Sequence, residues 1–63
     1  MFELEKLYDG YVVKEYRCPG TIVGYYVSDY RKGNYKFTTD HAYAKRFTEN
    51  TARKHADTLN ERS

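Results

Sequence analysis

Sulfur, proline and tryptophan are almost missing from this chain. Its 63 residues include one cysteine, one proline, one methionine and no tryptophan. With Cys18 alone, no internal disulfide can form. Aliphatic side chains are also few: four Val, three Leu and one Ile. No apolar run approaches the roughly 18 residues that a membrane-spanning helix needs. Residues 1–10 are acidic and lack the apolar centre of an export signal. A lone thiol without such a signal is expected in a reducing cytoplasm. These absences, with a length of 63 residues, speak against a disulfide knot, a helical membrane protein and a multidomain enzyme.

The length allows one small domain, residues 1–63. Such a chain buries only about 60% of its unfolded surface. Domains of this size usually gain stability from a disulfide, a metal or a second chain. What the sequence does hold is tyrosine: eight Tyr and three Phe make up its aromatic residues. Tyrosine rings must therefore extend the core, with their hydroxyls reaching water or a partner. The net charge is +2, but it is unevenly placed. Residues 1–16 are acidic, residues 17–54 are basic, and residues 55–63 are slightly acidic. This is milder than the strongly basic balance typical of nucleic-acid-binding domains.

Residues 1–8 are ambiguous. Phe2 and Leu4 alternate as in a strand, whereas Leu4, Leu7 and Tyr8 share a helical face. Asp9-Gly10 signals a turn. Residues 11–16, β-branched and aromatic, read as a strand that Cys18-Pro19-Gly20 ends. Residues 21–29 form the strongest strand pattern. Gly24 within it marks a bulge or a close backbone approach. Arg31-Lys32-Gly33-Asn34 supplies hairpin chemistry, because Gly and Asn tolerate positive φ. Residues 35–38 return as a third strand.

From Thr39 the period becomes helical. Ala52, His55, Ala56 and Leu59 make one narrow apolar stripe. Thr48 is a suitable N-cap with Glu49 in the first turn, and Phe47 fits the position of a hydrophobic staple. A break near residues 46–48 is preferred to one unbroken helix over residues 40–61. Asp40 or Thr39 can cap an earlier turn. The expected fold is α+β: a three-stranded antiparallel meander packed on one C-terminal helix, with a short N-terminal element of uncertain type.

One helix covers one face of a sheet. Alternation assigns Val13, Val23, Val27 and Phe37 to the helix side. Lys14, Tyr16, Tyr26, Tyr30 and Lys36 fall on the other side, and Arg31 and Lys32 sit at the hairpin tip. Tyr11, Tyr25 and Tyr35 are expected to extend the core. An open face of rings and cations invites a partner.

Chemistry is thin elsewhere. Cys18 lacks a signature linking it to a base, so an ordinary loop cysteine is the simpler reading. Cys18, His41 and His55 match no metal-ligand spacing, and His55 sits on the apolar stripe as a packing residue. The carboxylates do not cluster; Asp29 and Asp40 read as turn and cap residues. No glycine-rich phosphate loop occurs. The expectation is a protein without catalytic activity, metal or cofactor.

Phe37-Thr-Thr-Asp40, then Ala44-Lys-Arg-Phe47-Thr48, then Ala52 and Ala56, resembles a loose pattern of small uncharacterised phage and prophage accessory proteins. There a strand precedes Ala-x-x-Phe-Thr and a helix with spaced alanines follows. The resemblance covers about the last 28 residues and describes a fold more than an activity. It implies an accessory factor of phage or mobile-element origin, and some such proteins inhibit host defence. The order of sheet then helix is also similar to integrase arm-binding domains, which place a sheet in a DNA groove. This chain departs from them in being only mildly basic. The leading expectation is a non-enzymatic module that binds a host protein as an inhibitor of a defence system. The alternative is nucleic-acid binding through the basic, tyrosine-rich hairpin. A third reading is a homodimer formed through the open sheet face.

Overall fold

The computed structural model describes residues 1–15 and 25–62. Tyr16, Arg17, Cys18, Val23 and Gly24, on which several expectations rest, lie outside the described residues. The elements run β1 (Phe2–Leu7), β2 (Gly10–Glu15), β3 (Tyr25–Arg31), β4 (Asn34–Thr38), a 3-10 turn (His41–Tyr43) and α1 (Glu49–Arg62). The sheet is antiparallel with order β1-β2-β3-β4. The α+β class therefore holds, but among the described residues the sheet has four strands rather than three.

The added strand is the ambiguous N-terminal segment. Phe2 and Leu4 turn towards the helix, and Leu7 pairs with Gly10 across Tyr8-Asp9. Pairing along the whole of β2 outweighs the weak helical stripe, because a helix of eight residues has little stability of its own. Gly10 makes this hairpin possible. Its φ is +142°, and a Cβ there would lie 3.3 Å from the Phe47 carbonyl oxygen. The edge of β1 is partly closed by α1. The Asn60 side chain accepts from the Phe2 N–H (2.7 Å) and donates to the Phe2 carbonyl (3.0 Å), as a neighbouring strand would.

Phe2, Val13, Val27, Ala52, Ala56 and Leu59 form the core, with Leu4, Tyr11, Tyr35 and Phe47 packed against it. Val13 and Val27 are fully buried. Each contributes about 1.5–3 kcal/mol by leaving water. The alanines on the helix stripe let α1 approach β1 and β2 closely. The sheet curls around this core. Phe2 on one edge strand and Phe37 on the other have ring centroids only 6.0 Å apart. A flat four-stranded sheet would hold its edges about 14 Å apart.

The helix begins where its cap is placed. Thr48 Oγ1 accepts from the Thr51 N–H (3.3 Å), and Asp40 Oδ1 caps the 3-10 turn through the Ala42 N–H (2.9 Å). Between these caps the chain passes through a gap in the sheet. β2 and β3 pair at Lys14–Tyr26 and Glu15–Tyr25. Farther along, Phe47 exchanges two hydrogen bonds with Tyr11 (2.8 and 2.9 Å), and the Lys45 N–H donates to Val27 O (2.9 Å). The connecting segment thus satisfies backbone groups that the diverging strands leave open.

Candidate functional site: the outer face and the basic hairpin

Register places one row across the face opposite the helix: Glu3 beside Lys14, Lys14 beside Tyr26, Tyr26 beside Thr38. Lys14 Nζ lies 5.6 Å from the centre of the Tyr26 ring. Alternation adds Glu5 on β1, and Asp29, Arg31, Asn34 and Lys36 on the β3–β4 hairpin. The face is therefore acidic on β1 and basic on β3–β4. It is not open throughout: Val12 also points this way and is 0% exposed.

Tyr30 leaves this face. β3 and β4 are in register at Val27–Phe37 and again at Asp29–Lys36, so a bulge lies between Val27 and Asp29. One extra residue reverses the alternation beyond it. Tyr30 accordingly turns to the helix side, opposite Tyr35. This corrects the expectation that it shares a surface with Tyr26. Its ring centre lies 4.7 Å from Tyr35 and 4.6 Å from His55, and Phe47 stands 4.9 Å from His55. The Tyr35 hydroxyl and His55 Nδ1 are 2.8 Å apart. Burial lowers the His55 pKa below the usual histidine value. Burial, then the neighbouring Tyr30, raises that of Tyr35. These rings are a packing cluster joining α1 to the hairpin.

The hairpin tip is a type I′ turn, which demands positive φ at both central residues. Those residues are Lys32 (φ 52°) and Gly33 (φ 84°), and Asn34 opens β4 opposite Arg31. Asn34 therefore does not take the positive φ expected of it. Arg62 pins the turn: its Nη1 donates to Gly33 O (2.8 Å), and its guanidinium lies 5.6 Å from the centre of the Tyr35 ring. On the outer side, Asp29, Arg31, Lys32, Asn34 and Lys36 line a cleft of about 230 Å³. Asp29 Oδ1 accepts from the Tyr30 N–H (2.9 Å). Arg31, Lys32 and Lys36 make no ion pair or side-chain hydrogen bond among the described residues.

Of the residues singled out from sequence, the structure brings Arg31, Lys32 and Lys36 together and sets Lys14 and Tyr26 beside them on the same face. Tyr16 lies outside the described residues. Asp29 and Asn34 were missed as cleft residues because only the bulge and the turn type reveal which way they point. Tyr8 and Tyr43 were missed too, at 100% and 74% exposure. No spacing rule separates such rings from core rings. His41 sits on the exposed 3-10 turn beside Asp40 (3.9 Å), in surroundings unlike those of His55. Among the described residues, no group of three or more His, Cys, Asp or Glu side chains is placed to hold a metal. No helix among them is long and apolar enough to cross a membrane. Comparison with known proteins finds no matching family model, no matching curated protein and no matching solved structure.

Proposed function

We propose that this chain is a non-enzymatic binding module that docks a partner protein on the outer sheet face. The observation that carries this reading is the charge division of that face. Glu3 and Glu5 occupy the β1 side, while Arg31 and Lys36 occupy the β3–β4 side. A protein surface can mirror both halves, and such complementarity steers encounter and rejects wrong partners. A nucleic acid would gain on one half and be repelled on the other. Tyr26, between them, supplies a ring of large contact area and low entropy cost. The phage-like pattern of residues 37–56 is the ground for placing the partner in a host cell, where blocking a defence machine is the expected role.

The test is capture from host lysate with Tyr26→Ala, Lys14→Glu and Lys36→Glu as controls. One stoichiometric protein, retained by the wild type and lost with each variant, is the expected result. Capture that ignores all three variants would remove the reading.

Nucleic-acid binding is the second reading, favoured by three hairpin cations that make no ion pair among the described residues. Its affinity must fall steeply with salt. Absence of any shift of labelled duplex or single strand at low salt would exclude it.

A further inference from the structure

We propose that the hairpin cleft binds a phosphomonoester, presented as a phosphorylated side chain of the partner protein. This rests on the docking reading above and names what the basic half of the face recognises. The argument begins with charge. Arg31, Lys32 and Lys36 supply three positive charges to the cleft, and Asp29 removes one. The net is +2. A phosphorylated side chain carries about −1.5 to −2 near pH 7, whereas a carboxylate or phosphodiester carries only one negative charge. The monoester is the group that balances this cleft.

Donor geometry agrees. The Arg31 guanidinium offers a planar fork suited to two phosphate oxygens, and the Asn34 amide adds an uncharged donor beside it. The volume of about 230 Å³ holds several waters, and therefore a tetrahedral phosphate that displaces them. The cleft is also held in shape. The bulge and the Tyr30 N–H fix Asp29, and Arg62 fixes the turn through Gly33. Lys32 takes φ 52°, where asparagine or glycine would be less strained. A cation kept at a strained position, with no partner among the described residues, indicates a use for that charge.

The test is an amide-resolved NMR titration of the full chain at constant ionic strength. The probe is a capped phosphoserine peptide with no other charge, compared with its unphosphorylated form and with an aspartate version. Shifts confined to residues 29–36 and seen only with the phosphopeptide are expected. Arg31→Gln and Lys36→Gln should each weaken binding about fivefold, the upper end for one exposed ion pair. Asp29→Asn should tighten it, since an amide oxygen can still accept from Tyr30 while the competing charge is gone. Affinity should also fall from near pH 7.5 to near pH 5, as the monoester takes up its second proton (pKa about 6). Equal shifts from the aspartate peptide, or variants without effect, overturn the proposal. So does tighter cleft binding by a 5′-phosphorylated oligonucleotide. Loss of peptide binding with partner capture intact defeats this inference alone. Peptide binding with no captured partner defeats only the docking reading.

Discussion

Tyr30 shows how much one residue's position can change its job. With its ring against Tyr35 and His55 and 39% of its surface exposed, it joins the hairpin to α1. Tyr30→Ala should therefore lower stability by about 1–3 kcal/mol, as loss of a half-buried aromatic does, and leave outer-face binding unchanged. Urea midpoints beside partner capture check this; unchanged stability with lost binding would return Tyr30 to the outer face. His55 makes a second residue-scale prediction. Its folded-state pKa lies below the unfolded value of about 6.5, so the folded chain binds fewer protons than the unfolded one. Stability is then full above about pH 6.5 and is lost as pH falls through the lowered folded pKa. The rings facing His55 are Tyr30, Tyr35 and Phe47, and the cation near Tyr35 is Arg62. Replacing His55 by Gln should flatten the loss between pH 7 and 5 relative to wild type. Parallel pH profiles would contradict this origin.

At the scale of elements, the two hairpins rely on different devices. The β1–β2 hairpin depends on Gly10, whose positive φ and closeness to Phe47 O put any side chain under strain. Gly10→Ala should destabilise by more than about 1 kcal/mol and loosen the Tyr11–Phe47 pairing, read as faster amide exchange at Tyr11 and Phe47. The β3–β4 hairpin tolerates a suboptimal residue. Lys32→Asn should stabilise the fold by roughly 0.5–1 kcal/mol, because asparagine accepts the left-handed conformation more readily. The same change should weaken anion binding at the cleft, and a thermal melt with the peptide titration measures both. Much of this scale was legible beforehand. The strand patterns of residues 11–15 and 35–38, the hairpin that joins β3 to β4 and the cap at Thr48 are local properties. The β1 strand was not legible, since Phe2-Glu-Leu4 fits either period and only pairing with β2 decides between them.

At the scale of the molecule, the thin aliphatic supply is met by curling the sheet. Phe2 and Phe37 approach across the full width of the sheet, and Asn60 and Arg62 tie the end of α1 to both edges. Asn60→Ala removes two partners of the Phe2 backbone and should cost about 1–3 kcal/mol, with loss of exchange protection at Phe2 ahead of β2. Phe37 stays 43% exposed because α1 lies over β1 and β2 rather than β4. Sedimentation at micromolar concentration tests whether two copies meet through the outer face. A monomer leaves that face to another partner.

Local chemistry settled the sequence-determined part of this protein. Alternation made the strands, Gly33 marked the turn, Thr48 and the alanine stripe made the helix, and the sparse aliphatics required rings in the core. Each rests on interactions within a few residues. The tertiary structure decided which face each ring occupies. A single extra residue in β3 reverses alternation, and a bulge is stabilised by its partner strand, not by its own sequence. It also decided that three cations would share a cleft with Asp29, because cross-strand neighbours are set by register, which belongs to two strands at once.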